Sequence, residues 1–323
     1  MPNRNDTWAV ILAGGNGTRL SQLTTDENGV VVPKQFSTNH VAQDRVIVVV
    51  AEEHQQWWEP QLSALKDENV VVQPCDRGTA CGVLLPLMQI DRRNPEATVV
   101  VTPSDQHFDE EKTFHLSLME ALSYVRERPR LLVLLGMEPD APVTDYGWIT
   151  PAEGGGEAIR LVTSFVEKPD ERSAKELLRN GALWSSFTFV SSVEFLLSRF
   201  RLTVPWLVDR FEHVLDYGFR ETPNQLLPEL YEGIPAADFS RSILQKCDDR
   251  VHVLAVPPCG WTDLGTPERV AACVEKREPC SMNEDDCEFG VRPPLDLTQA
   301  VAGAGVSMRD SSVHPRPEFN PAP

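Results

Sequence analysis

No apolar run in the 323-residue chain approaches the ~18 consecutive residues that a membrane-spanning helix needs. Runs such as Val46 to Ala51 stop at acidic side chains, here Glu52 and Glu53. The opening Met1-Pro2-Asn3-Arg4-Asn5-Asp6 lacks the apolar core of a signal peptide, so no membrane contact and a cytoplasmic location are expected. Basic side chains are scarce. Thirty Lys and Arg face 48 Asp and Glu, and the resulting charge of −18 repels a polyphosphate backbone, which argues against a nucleic-acid partner. Any anionic ligand must be held by local cations or by a metal ion. The seven cysteines are odd in number and form no Cys-x-x-Cys pair, so neither a disulfide framework nor a zinc site is indicated. No internal repeat is present. What remains, 41% hydrophobic and 24% charged residues, suits one large buried core or two modest ones.

From Trp8 onward, short apolar runs alternate with helical patterns, the signature of a parallel sheet covered by helices. The strand candidates are Trp8 to Leu12, Val46 to Val50, Val70 to Val72, Thr98 to Val101 and Leu131 to Leu135. Phe114, Leu118, Ala121, Leu122 and Val125 recur at helical spacing and make a βαβ unit of the last two. After Pro139 comes an inserted region with Gly154-Gly155-Gly156, a strand at Ile159 to Val166 and a helix at Ala174 to Arg179. Helices are expected at Val193 to Phe200 and Trp206 to Leu215, a last strand at Val251 to Val256, and a helix start at Thr266-Pro267-Glu268. The folded unit is expected to span residues 1–277. Residues 278–323 hold eight acidic side chains, three arginines and seven prolines with no apolar period, and a disordered or loosely docked tail is expected there.

The strongest local signal follows the first strand: Leu12-Ala13-Gly14-Gly15-Asn16-Gly17-Thr18-Arg19-Leu20. Three glycines in four residues allow a sharp turn with backbone N–H groups converging on one concavity, as in a phosphate cradle. Neither the Gly-Lys-Ser/Thr end of a Walker A loop nor the Gly-x-Gly-x-x-Gly spacing of a dinucleotide fold is present. By spacing alone, a tight turn beside a surface arginine also fits.

Together with Pro33-Lys34-Gln35-Phe36, this run resembles the signature of the sugar-1-phosphate nucleotidylyltransferases, and its Pro-Lys-Gln-Phe form is similar to the mannose-1-phosphate guanylyltransferase branch. The resemblance continues in order through Gln73-Pro74, Arg77-Gly78-Thr79-Ala80, Pro103-Ser104-Asp105, Tyr146-Gly147-Trp148-Ile149, Phe165-Val166-Glu167-Lys168-Pro169, Leu183-Trp184 and Gly260-Trp261-Thr262-Asp263-Leu264-Gly265-Thr266. It implies an α/β fold: a central, mainly parallel, Rossmann-like sheet flanked by helices, with a smaller inserted sugar-binding lobe. The implied reaction joins a sugar 1-phosphate to a nucleoside triphosphate and releases pyrophosphate, with mannose 1-phosphate and GTP as the first choice and a homodimer as the expected assembly.

The same resemblance implies the residue roles. Leu12, Ala13, Gly14, Gly15, Gly17, Thr18, Gln73, Gly78 and Thr79 would bind the nucleotide. Arg19, Lys34 and Lys168 would be the catalytic cations, neutralising phosphate oxygens. Gly147, Glu167, Lys168 and Ser185 would bind the sugar phosphate, and Asp105 and Asp263 would hold Mg²⁺. Unaided, each aspartate is more often a turn or N-cap residue, and Glu167-Lys168 reads as a solvated pair. Pro169 should keep Lys168 extended. His107 reads as solvent-exposed, and Trp184 as packing.

Departures from the pattern matter too. Only nine residues, Ser37 to Arg45, stand where the family has a full helix. One side of the sheet near Val46 to Val50 is therefore under-covered unless another segment moves in. Gln22 replaces a proline, Gly78 occupies a site that is often asparagine, and Ser185 replaces an asparagine that helps hold the sugar, which bears on sugar identity more than on reaction type. Transfer from UTP, dTTP or ATP, and a non-catalytic nucleotide-sugar sensor, are the alternative readings.

Overall fold

The valine-rich runs form strands in the computed structural model, which describes residues 6–14, 41–154, 157–217, 228–246, 249–266, 268–269 and 272–273. All of these belong to the unit Met1–Lys276. Gly15, Gly17, Thr18, Arg19, Gln22, Lys34 and the acidic tail lie outside the described residues.

The strands are β1 (Thr7–Ala13), β2 (Val46–Ala51), β3 (Val70–Gln73), β4 (Thr98–Pro103), β5 (Gln106–His107), β6 (Leu132–Met137), β7 (Gly147–Pro151), β8 (Ile159–Glu167), β9 (Leu183–Ser192), β10 (Val251–Ala255) and β11 (Thr262–Asp263). The helices are α1 (Gln55–Leu62), α2 (Thr79–Arg93), α3 (Glu111–Glu127), α4 (Glu171–Arg179), α5 (Val193–Thr203), α6 (Pro205–Tyr217) and α7 (Phe239–Ser242). Nine strands form one sheet in the order β3-β2-β1-β4-β9-β6-β10-β8-β7. Its first four strands are parallel. Strand β9 then runs antiparallel to both β4 and β6, and β10 returns parallel to β6. The inserted hairpin of β7 and β8 joins β10 on one side and the start of β9 on the other.

Valine and isoleucine suit a sheet buried on both faces, where no polar alternation is needed. Ile47 and Val49 pack in one core cluster with Leu84, Leu87 and other residues of α2. Val46, Val48 and Val50 pack in the second with Trp58 and Leu62 of α1 and with Leu65. Helix α1 thus packs on the face of β2 expected from the sequence to be under-covered, and β2 is buried throughout. Trp58 is fixed there by its Nε1–H donating to the Ala51 carbonyl at 2.8 Å.

Strand β9 separates β4 from β6, so the expected βαβ pair are parallel strands that are not neighbours. Its sequence, Leu-Trp-Ser-Ser-Phe-Thr-Phe-Val-Ser-Ser, does not read as a central strand because half of it is hydroxylic. Those hydroxyls are satisfied internally: Ser186 and Ser191 donate to the Leu135 and Leu131 carbonyls, and Thr188 bonds Thr102 at 2.9 Å. Helix α4 starts at an Asp170 N-cap accepting from the Ser173 N–H at 2.7 Å. No helix among the described residues is long and apolar enough to cross a membrane.

Candidate active site

The carboxyl ends of β1, β3 and β4 gather the first group of motif residues, at the sheet end where open α/β folds place ligands. Leu12 and Ala13 end β1, the Ser104 N–H donates to the Leu12 carbonyl at 3.0 Å, and Gly14 begins the glycine loop. A Cβ on Gly14 would lie 2.9 Å from Gln73 Oε1, so the Gln73 amide packs against Gly14. Gln73 is buried, and its Nε2 donates to the Tyr231 hydroxyl at 2.6 Å. Gly78, at φ +83, is the N-cap of α2. Thr79 Oγ1 accepts from the Phe239 N–H at 2.9 Å and faces Asp238 Oδ2 at 3.4 Å. The side chains of Gln73 and Thr79 thus tie β3 and the start of α2 to Tyr231 and to residues 238–239.

The chain segments that carry the two aspartates, 158 residues apart in sequence, are joined through their backbones by a ladder of only two residue pairs. Strand β5 pairs with β11 so that Gln106 stands opposite Asp263, and the Leu264 N–H donates to the Asp105 carbonyl at 2.8 Å. Gln106 then ties this ladder to the sheet. Its Nε2 donates to the Ser186 carbonyl, and its Oε1 accepts from the Trp261 Nε1–H at 3.4 Å. Among the described residues no group of three or more His, Cys, Asp or Glu side chains forms a metal cage. By donor chemistry alone, the carboxylate oxygens of Asp105 and Asp263 are the type a hard divalent ion takes, its remaining ligands coming from phosphate and water.

The third group lies across β8, β7 and β9. Gly147 pairs with Glu167, and Trp148 with Trp184, so one further step of the same register sets Ser185 beside Gly147. Ser185, Gly147 and Glu167 thus form one transverse row, polar side chains flanking a residue that has none. A Cβ on Gly147 would meet Phe165 Cζ at 2.7 Å and Glu167 Oε2 at 2.8 Å. Any side chain at 147 would therefore push the Glu167 carboxylate and the Phe165 ring tip aside. The Ser185 hydroxyl accepts from the Phe187 N–H at 3.3 Å.

Lys168 departs from expectation. Its φ is +50, not extended, because the chain turns to let its N–H donate to the Tyr146 carbonyl at 3.2 Å. Lys168 and Phe187 are the described non-glycine residues with positive φ, one next to Glu167 and the other two residues from Ser185. His107 also differs from expectation: its side chain is only 15% exposed and contacts Asp109 at 3.2 Å. Trp184 packs as read, 5.1 Å from the Tyr146 ring and 6.3 Å from Trp261.

Burial pushes the Glu167 carboxyl above the usual carboxylate range. The nearby Asp238 adds to this, whereas a hydrogen bond with Ser240 and the charge of Lys168 oppose it. Glu167 is thus no solvated pair partner. A carboxyl whose pKa is raised on folding makes the folded state bind more protons, so stability falls as pH rises from the ordinary glutamate range through the raised value. Glu167→Gln should therefore melt above wild type at about pH 7.5 and lose that advantage toward about pH 4. A scanning melt at both pH values checks this, and an advantage unchanged between them contradicts it.

Sequence reasoning missed Asp238, Gln106 and Arg269. Asp238 caps α7, accepting from the Arg241 N–H at 2.8 Å, and links Thr79 to the Glu167 side. Arg269 contacts Asp263 Oδ2 at 2.8 Å. Its sequence signal was only its place six residues after Asp263, where a helix begins.

Comparison with known proteins accords with this geometry. The model of the nucleotidyl transferase family matches residues 8–277. The xanthan biosynthesis protein XanB of Xanthomonas campestris pv. campestris (strain B100) is 28% identical over 281 residues, 81% of this chain and 58% of that protein. A mannose-1-phosphate guanylyltransferase of Escherichia coli (strain K12) is 27% identical over 288 residues, 80% of this chain and 58% of that protein. The chain therefore spans less than two thirds of these relatives' length. A solved structure named mannose-1-phosphate geranyltransferase, from Thermus thermophilus, superposes with a TM-score of 0.66 at 24% identity over 85% of this chain and 80% of that one, a likeness of fold. By the match over residues 8–277, this chain belongs to the nucleotidyl transferase family.

Proposed function

We propose that the chain transfers a nucleotidyl group from a nucleoside triphosphate to a sugar 1-phosphate with release of pyrophosphate, and that GTP and mannose 1-phosphate are its preferred pair. The observation that carries this reading is the row of Ser185, Gly147 and Glu167 on β9, β7 and β8, in one continuous contact network with the Asp105–Asp263 ladder and the end of β1. The Pro-Lys-Gln-Phe motif and the relatives named for mannose 1-phosphate favour that sugar and base.

The attacking atom is a phosphate oxygen, already ionised at neutral pH, so no strong general base is needed. Alignment and charge neutralisation carry the catalysis. Glu167 accepts hydrogen bonds from sugar hydroxyls over the flat Gly147 backbone. Lys168 binds the sugar phosphate, while Arg19 and Lys34 meet the oxygens of the triphosphate. Leu12, Ala13, Gly14, Gly15, Gly17, Thr18, Gln73, Gly78 and Thr79 form the nucleotide side. Asp105 and Asp263 would hold Mg²⁺, which when bound neutralises phosphate charge and polarises the phosphorus centre.

The test is a matrix of nucleoside triphosphates against sugar 1-phosphates, read as Mg²⁺-dependent pyrophosphate release. GTP with mannose 1-phosphate is expected to be fastest. Faster turnover with another pair overturns the substrate assignment, and binding of GDP-mannose with no release from any pair overturns the enzymatic one. Gly147→Ala gives a second check. The new methyl displaces Glu167, so KM for the sugar phosphate should rise about 10- to 100-fold with KM for the nucleotide nearly unchanged. Equal effects on both constants contradict the assignment of this row to the sugar.

A further inference from the structure

The Asp263 carboxylate is occupied by the chain's own donors. Arg269 Nη1 lies 2.8 Å from Oδ2 and 3.1 Å from Oδ1, the Gly265 N–H donates to Oδ1 at 2.5 Å, and the Tyr146 hydroxyl is hydrogen-bonded to the same group. The Asp263 and Arg269 side chains keep only 18% and 23% of their exposure. A pair this shielded is screened less than a surface ion pair. The guanidinium also lies 4.6 Å above the Tyr146 ring centroid and 3.8 Å from Asp145 Oδ2.

A hard divalent cation would draw on the same two oxygens that Arg269 now holds, and the guanidinium charge at contact distance opposes its binding. Resting on the reading of Asp263 as a metal ligand, we propose that Arg269 is a competing internal cation. It orients Asp263 until a divalent ion displaces it, and so sets the metal affinity of the site. Displacement does not strand the guanidinium in an apolar space, since the Tyr146 ring face and the exposed Asp145 carboxylate lie beside it. Arg269 is a positioning residue in this scheme, acting on metal binding through Asp263.

Competition and simple support predict opposite signs. An arginine that only braced Asp263 would weaken metal binding when removed, whereas a competitor strengthens it. Mn²⁺ titrations of the full chain, followed by the electron paramagnetic resonance of the free ion, read this directly without turnover. Arg269→Gln is expected to bind Mn²⁺ about tenfold more tightly than wild type. Arg269→Lys, which keeps the charge but loses the planar fork, should fall between them and serves if the glutamine variant does not fold. Unchanged or weaker binding in both variants overturns the competition. Asp263→Asn separates the two failures: if it binds Mn²⁺ as wild type does, the metal reading of Asp263 fails and the competition with it. If it loses Mn²⁺ while the Arg269 variants match wild type, only the competition fails.

Discussion

Asp105→Asn is expected to lower kcat/KM for pyrophosphate release by about 10³-fold or more, the scale of removing one preorganised charge from a phosphoryl-transfer site. Its effect on folding should stay below about 2 kcal/mol, because asparagine keeps the size of the side chain and the backbone bond from the Leu264 N–H to the residue 105 carbonyl does not depend on the carboxylate. Asp263→Asn should cost as much activity. It is the less clean variant, since Asp263 also anchors Arg269 and accepts from the Gly265 N–H. Losing that charge leaves a partly shielded guanidinium facing a neutral amide, so a somewhat larger drop in melting temperature should accompany it. Steady-state release at saturating Mg²⁺, alongside a thermal melt of each variant, separates chemistry from folding. Near-normal release from both variants would refute the placement of the two aspartates at the reacting centre.

Gly78→Ala should destabilise the fold by about 3 kcal/mol or more. Gly78 sits at φ +83 and ψ 167, a region open essentially to glycine alone. A Cβ there would run into the Ala237 carbonyl oxygen and lie 2.8 Å from its carbon, which are backbone atoms. Ala237 cannot retreat cheaply. Its carbonyl accepts from the Ala80 N–H at 3.0 Å, and its N–H donates to the Arg77 carbonyl at 2.9 Å. Shifting it would also pull on Phe239, whose N–H donates to Thr79. Asparagine, common at this place in the family that the chain resembles, should be no better, since it tolerates left-handed helical backbone but not this conformation. The expected readout is a lower denaturation midpoint at constant slope for both variants. A loss below about 1 kcal/mol would mean that the clasp between residues 77–80 and 237–239 adapts, contrary to its two-sided hydrogen bonding.

Much of the sheet was legible because its strands are buried on both faces and so read as unbroken valine and isoleucine runs. Helix α3 was legible for the opposite reason, a one-sided apolar stripe. Helix α2 was not, because ten of its fifteen residues are buried and no polar face marks its period. Strand β9 was hidden by hydroxyls whose partners come from β4, β6 and the segment before β6. For the site, residue types and order pointed to Asp105, Asp263, Glu167 and Gly147. That the backbones at the two aspartates lie side by side depends on β5 and β11, each two residues long, which no periodicity can reveal. The conformation of Lys168 was misjudged because a tertiary hydrogen bond to Tyr146 outweighed the local preference imposed by Pro169.

The most direct measurement is anomalous diffraction from crystals grown with Mn²⁺ and GDP-mannose. A manganese peak bridging the Asp105 and Asp263 carboxylates, with the sugar ring lying over Gly147 and within hydrogen-bonding reach of Glu167, is the expected result. A peak coordinated elsewhere, or a sugar bound away from the row of Ser185, Gly147 and Glu167, would contradict it.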